Sequence, residues 1–264
     1  MINHYTYIME DTREAKRLAD KVDASGFIDT YLKDYITEDT DSVLDIGCGP
    51  AIIDVELGKL YPKKQFIGID NSEIRIAQAR MNLRDISNVR IELANASQLP
   101  YPSNTFDLIF CRFLLEYLPD KPHALLEMYR VCKPGGKIIL QDLDGQIVSM
   151  YPPFRYEAQL KSILNYLEKT GFDPFVGRKL FYLSTQANLL VEKLNIEPYH
   201  LIAGKINDKD YEAWKLKLDI ISPYISKALG DDTKANDFNE AYLEYLLNPN
   251  TFSYSTLFTI VTRK

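Results

Sequence analysis

Short apolar segments alternate with amphipathic ones through the first half of the chain. The apolar segments have the length of buried strands, and the segments between them place apolar residues three or four positions apart, as helices do. Such an alternation is typical of βαβ units, which build a parallel sheet with helices on both faces. The pattern predicts strands at residues 42–46, 66–70, 89–93, 106–111 and 137–142, and helices at 51–60, 72–83 and within 118–131.

The two flanks of this region have a different pattern. Residues 1–40 precede the first strand and are predicted to form a helical cap segment. After residue 144 the strict alternation ends, and longer amphipathic stretches follow. The flanks are predicted to contain helices at 11–19, 27–36, 155–169, 178–194, 208–229 and 238–247, and strands at 197–203 and 256–262.

Together these elements predict an α/β fold, a doubly wound and mostly parallel sheet of seven strands with helices on both faces. Residues 41–204 and 251–264 are expected to form the core. Residues 205–250 are expected to form a helical lid that is inserted before the last strand. Ligands of such sheets bind at the carboxyl ends of the strands, which is where the candidate acids and glycines of this chain stand.

The composition is that of an ordinary globular protein, with 264 residues, 46% hydrophobic and 26% charged. The net charge of −6 and the lack of a Lys/Arg run count against a nucleic-acid partner. Three scattered cysteines have no Cys-x-x-Cys spacing, so neither a disulfide framework nor a metal site is indicated. No apolar run reaches the roughly 18–20 residues of a membrane span, and residues 1–5 have no features of a secretory signal. We therefore expect a cytoplasmic protein without a membrane partner.

A glycine-rich turn joins the first strand to the helix that follows. Gly47 and Gly49 allow a ligand to approach the backbone closely, because neither residue has a Cβ atom. The turn alone fits either a phosphate or the amino-acid end of a cofactor. The dinucleotide fingerprint requires glycine where Ile52 stands, and no Gly-Lys-Ser/Thr of a P-loop follows. Both departures count against a nicotinamide dinucleotide and against a P-loop nucleotide.

Six short motifs follow one another along residues 42–142. In this order and spacing they resemble the class I S-adenosylmethionine-dependent methyltransferases that modify small molecules, which implies a Rossmann-like fold. Ala51 stands where the family has a third glycine, and Asn95 where it has an aspartate. The motifs are the glycine turn at 45–51, Asp70 at the end of the second strand, and residues 94–101, 103–109, 118–120 and 131–136.

The resemblance implies S-adenosylmethionine as cofactor and S-adenosylhomocysteine as product. Asp70 can accept hydrogen bonds from both ribose hydroxyls, since a carboxylate has two acceptor oxygens. Asp45 would offset the charge of the methionine ammonium, and Asn95 would meet the adenine amino group. The other residues that the resemblance implies in cofactor binding are Gly47, Cys48, Gly49, Asn71, Ala96, Cys111, Tyr7 and Arg17.

The residues around the methyl acceptor are less well defined. Arg112 follows the fourth strand, where it can bind a carboxylate of the substrate or of the cofactor, or form a surface ion pair. Asp142 follows the fifth strand, where it can act as a base, orient one, or form a turn. These two are the catalytic candidates. Aromatic residues that can line an apolar acceptor pocket are Tyr151, Phe154, Tyr156, Phe172, Phe175, Phe181 and Tyr182.

The expected activity is in-line transfer of a methyl group to an O, N, C or S atom of a small molecule, by a monomer or homodimer. One alternative is a protein of the same fold that binds the cofactor without methyl transfer, such as a cyclase or a regulatory module. Another is a methyltransferase of protein or RNA. The Asn/Asp-Pro-Pro-aromatic signature of amino-methyltransferases is absent after the fourth strand, where residues 111–114 read Cys-Arg-Phe-Leu.

Overall fold

A computed structural model describes residues 7–264. Within these residues the strands form a seven-stranded sheet. The strands are β1 (Ser42–Ile46), β2 (Gln65–Asp70), β3 (Val89–Leu93), β4 (Phe106–Arg112), β5 (Cys132–Tyr151), β6 (Leu190–Ala203) and β7 (Phe252–Arg263).

The strand order is β3-β2-β1-β4-β5-β7-β6. Strands β1 to β5 pair in parallel, whereas β7 is antiparallel to both β5 and β6. This order confirms the predicted α/β fold with a doubly wound, mostly parallel sheet.

The described part of the chain places helices between most of these strands. Several begin at a side-chain cap, as at Asp11 and Ser72, whose side-chain oxygens accept backbone N–H groups of the first turn. The helices are α1 (Thr12–Lys21), α2 (Ala24–Phe27), α3 (Ile52–Leu60), α4 (Glu73–Asn82), α5 (Lys121–Val131), α6 (Glu157–Glu168), α7 (Leu180–Gln186), α8 (Asp208–Leu229) and α9 (Asp232–Leu247).

The central strands bury both faces of the sheet. Successive side chains of a strand point to opposite faces, so Ile109 joins one apolar cluster while its neighbours Leu108 and Phe110 join another. The first cluster includes residues of α5 and α7, and the second includes residues of α2 and α3. This burial explains why the central strands are apolar along most of their length.

A third apolar cluster lies outside the sheet. Helices α6, α8 and α9 contribute most of it, and Ile8 and Met9 pack into the same cluster. Helices α8 and α9 stand between β6 and β7 along the chain, where the sequence predicted a helical insertion. The N-terminal segment therefore contacts the same helices that follow β6.

Two predicted helices differ from the structure. Residues 178–194 were predicted as one helix, but α7 ends at Gln186 and β6 begins at Leu190. Asn188 has a φ of 60°, which interrupts a right-handed helix, and pairing with β7 then extends the chain. Residues 27–36 are helical, but one π-helical turn and one 3₁₀ turn follow α2.

The last three strands are longer than predicted. Residues 133–136, which precede the strand predicted at 137–142, lie within β5, where the register with β4 shifts, and Gly135 has a φ of 80°. Strand β5 then continues to Tyr151 because it pairs with β7 over most of that length. Pairing with a distant strand supplies hydrogen bonds that a local apolar pattern does not reveal.

None of the helices within residues 7–264 combines the length and apolar composition needed to cross a membrane.

Helix α3 offers a matched test of the packing. Leu57 is fully buried there, whereas Leu60 is 51% exposed. We expect Leu57→Ala to lower the free energy of unfolding by about 2–5 kcal/mol, because it leaves a cavity. Leu60→Ala should change it by less than about 0.5 kcal/mol. Urea unfolding followed by circular dichroism measures both, and equal losses would contradict the packing described.

Candidate functional site

A cleft with a volume of about 1130 Å³ opens at the carboxyl ends of β1, β2 and β4. Strand β1 lies between β2 and β4, and Ile46 is in register with both Ile69 and Cys111. The loops that follow these strands therefore meet at one edge of the sheet. Such a point, where the strand order reverses, is where doubly wound sheets bind ligands.

The glycine turn after β1, residues 47–51, forms the floor of the cleft. Gly47 has a φ of 83°, and a Cβ atom there would lie only 3.0 Å from the Leu114 side chain. The turn is fixed by the N–H groups of Gly47 and Cys48, which donate to the Ile69 carbonyl at 2.8 and 2.9 Å. Gly47, Cys48 and Gly49 all line the cleft, so the backbone itself is presented to a ligand.

Asp70 ends β2 beside this turn. Its Oδ2 accepts the Gly49 N–H at 2.9 Å, and its Oδ1 accepts the Ser72 N–H at 2.9 Å. Burial raises the pKa of Asp70, while nearby Arg75 and these two N–H groups oppose the rise. Each carboxylate oxygen retains a further lone pair. Asp70 and its neighbour Asn71 line the cleft, which places two adjacent acceptors at its edge.

Two buried carboxyl groups lie together, one lining the cleft and the other beside it. Asp45 on β1 lines the cleft, and Asp54 in the first turn of α3 lies within hydrogen-bonding reach of it. No donor among residues 7–264 bonds to either oxygen of Asp54. Burial raises the pKa of Asp54 to about 6, and burial together with Asp54 raises the pKa of Asp45. The pair is suited to hold a proton or to face a cation.

The N-terminal segment covers part of the cleft. Tyr7 lines it and packs edge-on against the Tyr117 ring, with 4.6 Å between ring centroids. The Arg75 guanidinium lies 4.2 Å from the centre of the Tyr7 ring. Arg17 also lines the cleft and donates two hydrogen bonds of 2.7 Å to the Glu14 carboxylate. Tyr7 and Arg17 are thus brought to the site by α1 and the turn before it.

The two catalytic candidates have different surroundings. Arg112 lines the cleft, where it donates to the Gln141 side chain at 2.8 Å and lies 4.1 Å from the centre of the Phe113 ring. Asp142 is buried behind the cleft wall and accepts the N–H groups of Glu116 at 3.1 Å and Leu143 at 2.9 Å. Burial raises the pKa of Asp142 to about 7. Asp142 itself does not line the cleft, but Leu143 and Glu116, whose N–H groups it accepts, both do.

Three predicted cofactor contacts do not line the cleft. The Asn95 side chain accepts the Ser97 N–H at 2.8 Å. Ala96 and Cys111 are buried in the apolar cluster that includes Leu44. Their predicted roles at the adenine and at the ammonium remain predictions.

Several residues of the cleft were missed in the sequence. Glu116 lies four residues after β4, at the edge where the other strand ends meet. That position could have identified Glu116 as a candidate site residue from the sequence. Asp54, which does not line the cleft but lies beside Asp45, stands between apolar residues in the first turn of α3, and that position marks an unusual buried acid. Tyr199 and Lys217 come from β6 and α8. No sequence signal connects these two residues to the first half of the chain.

An apolar cavity adjoins the cleft. It lies among α6, α8 and α9, and it shares Tyr117 and Lys217 with the cleft. Of the aromatic residues predicted to line an acceptor pocket, Phe172 lines this cavity. Tyr151, Phe181 and Tyr182 are instead exposed, and the others do not line the cavity.

The Asp45–Asp54 pair makes stability depend on pH. The pKa of Asp54 is raised from 3.8 to about 6 in the folded state. Its contribution to the free energy of unfolding is therefore most favourable below pH ~4 and is lost as the pH rises through ~6. We expect Asp54→Asn to remove this dependence, which gives a gain over wild type that grows to about 3 kcal/mol at neutral pH. Urea unfolding between pH 4 and 8 measures the gain, with Glu56→Gln on the same helix as control. A gain that does not change with pH would contradict a shared proton.

Comparisons relate the chain to known proteins. Residues 37–173, more than half of the chain, match the family of methyltransferase domains. An uncharacterized methyltransferase of Schizosaccharomyces pombe is 30% identical over 219 residues, which cover 79% of this chain and 76% of that protein. A demethylmenaquinone methyltransferase of a Geobacillus species is 36% identical over 99 residues, which cover 36% of this chain and 42% of that protein.

A solved structure shows the same fold. An S-adenosylmethionine-dependent methyltransferase of Aquifex aeolicus matches with a TM-score of 0.53 and 21% identity, over 70% of this chain and 91% of that one. The family match and the relative from Schizosaccharomyces pombe identify the family of this chain. The chain therefore belongs to the methyltransferase domain family.

Proposed function

We propose that the cleft holds S-adenosylmethionine with its ribose at Asp70 and its methionine ammonium at the Asp45–Asp54 pair. Asp45 supports this placement, because it lines the cleft with its carboxyl group buried, and a buried carboxylate is costly unless a cation offsets it. Asp70 supports it with two acceptor oxygens beside the glycine turn. The residues present therefore fit a ligand with a diol at one end and a cation at the other.

The methyl acceptor, in this proposal, is a small molecule with an apolar body. The observation that carries this proposal is the apolar cavity that adjoins the cleft at Tyr117 and Lys217. It is lined by helices α6, α8 and α9 and almost entirely by apolar side chains, as the sites of apolar small molecules are. A relative named for demethylmenaquinone acts, by its name, on a small molecule. Residues 205–250 would form the lid over this cavity.

The chain's own residues contribute mainly alignment and exclusion of water. S-adenosylmethionine supplies a methyl group on a positively charged sulfur, which is already electrophilic. Asp70 and the glycine turn would hold the methyl donor in place, and the walls of the apolar cavity would orient the acceptor. Well-aligned reactants can save up to about 7–11 kcal/mol of the barrier. Tyr7 and Arg17 on the N-terminal side would keep water from the reacting atoms.

The ribose role of Asp70 can be tested by replacement. We expect Asp70→Ala to weaken S-adenosylhomocysteine binding by about 1.5–3 kcal/mol, since it removes charge-assisted hydrogen bonds. Calorimetric titration measures the affinity, and thermal unfolding checks that the variant folds. Asp85→Ala, on the exposed loop after α4, is the matched control and should bind as wild type does. Wild-type affinity in Asp70→Ala would refute the ribose role.

The acceptor class can be tested with labelled cofactor. We expect methyl-labelled S-adenosylmethionine to transfer label to apolar small molecules in an extract of the source organism, and not to its protein or RNA. Trp214 is the single tryptophan of the chain and lines the apolar cavity. Its fluorescence should therefore change when the labelled fraction binds. Label on protein or RNA would contradict the proposal, and so would cofactor binding without transfer to any fraction.

A further inference from the structure

Glu116 has an unusual environment for an acidic side chain. It is 2% exposed and lines the cleft, and no donor among the described residues bonds to its Oε2. A buried carboxyl oxygen without a hydrogen-bond donor costs free energy. Because Glu116 lines the cleft, a ligand bound there is the group that can supply the missing partner.

A second carboxyl group supports Glu116 from behind. Asp142 accepts the Glu116 N–H through its Oδ2 at 3.1 Å and the Leu143 N–H through its Oδ1 at 2.9 Å. These bonds fix Asp142 against the backbone of Glu116. Because two neighbouring carboxyl groups disfavour a double negative charge, the pair readily binds one proton.

Glu116 lies on the acceptor side of the cleft. Asp45, Asp70 and the glycine turn come from β1 and β2, whereas Glu116 follows β4. Its neighbour Tyr117 lines both the cleft and the apolar cavity. An acceptor whose apolar body fills that cavity would therefore present its polar end near Glu116.

We propose that Glu116 is the general base of the methyl transfer and that the acceptor atom carries a proton as an amine N–H or a hydroxyl O–H. This inference rests on the proposed function. The acceptor's lone pair forms the bond to the methyl carbon, and the carbon–sulfur bond breaks with its electron pair left on sulfur. The acceptor's proton passes to the Glu116 carboxylate. S-adenosylhomocysteine, the methylated acceptor and a protonated Glu116 are the products of this step.

The charges around Glu116 determine how the reaction depends on pH. Burial and Asp142 raise the pKa of Glu116 well above its usual value, and the positive charges nearby lower it. A base must be unprotonated, so the rate should rise with pH as Glu116 loses its proton. The groups that face Glu116 are Asp142 from β5, Lys217 from α8, Lys121 from α5, Tyr117 beside it, Tyr7 from the N-terminal segment and Tyr199 from β6.

The first test replaces the proposed base. The assay uses full-length protein, methyl-labelled S-adenosylmethionine and the small-molecule fraction that wild type labels. We expect Glu116→Gln to lower kcat by about 10²–10⁴-fold and to lose the acidic limb of the pH profile. Its affinity for S-adenosylhomocysteine should remain within about threefold of wild type, because the proposed ribose and ammonium contacts are made by Asp70 and Asp45 rather than by Glu116. Glu240→Gln, an exposed position on α9, is the control and should keep wild-type rates.

The second test replaces the positioning residue. Asp142→Asn removes the negative charge behind Glu116, so the acidic limb should move to lower pH while cofactor affinity is kept. Wild-type kcat in Glu116→Gln, or an acidic limb that Asp142→Asn does not move, would overturn the inference and leave the proposed function standing. If wild type labelled no small molecule although it bound S-adenosylhomocysteine, the proposed function would fail and the inference with it.

Discussion

The hydrogen bond from the Gly49 N–H to the Asp70 carboxylate joins the two halves of the cofactor site. It ties the glycine turn after β1 to the end of β2, and the Ser72 N–H ties the same carboxylate to the start of α4. Gly47 can adopt its backbone conformation there only without a side chain, because Leu114 fills the adjacent space. The loop that follows β4 is positioned relative to this junction, because β4 pairs with β1.

Buried acids dominate the chemistry of the cleft. Asp45 and Asp54 form one pair, and Glu116 and Asp142 form another. Desolvation makes such groups costly in a folded protein, so each pair favours either a bound proton or a cationic ligand. A methyl donor with both an ammonium and a sulfonium group would supply the positive charges that offset these buried carboxylates. The first pair would then serve binding and the second would serve proton transfer.

The sequence predicted those parts of the site that depend on strand ends. Asp45, Gly47 and Asp70 were placed correctly at one edge, because the carboxyl ends of parallel strands meet there. Asp142 was placed at the same edge, but its side chain lies behind Glu116, and a strand pattern does not report that orientation. Tyr199 lies in a segment that was predicted as a strand, but its place beside the cleft depends on the pairing of β6 with β7, which a local sequence pattern does not report. The early start of β6 depends on the same pairing of segments distant in the chain.

The most direct test of the account is a crystal structure of the full chain with S-adenosylhomocysteine bound. The account predicts that both ribose hydroxyls donate to Asp70, that the ammonium lies at Asp45 and Asp54, and that the sulfur faces the wall formed by Glu116 and Tyr117. A ligand whose ribose lies away from Asp70, or whose sulfur faces away from Glu116, would contradict it.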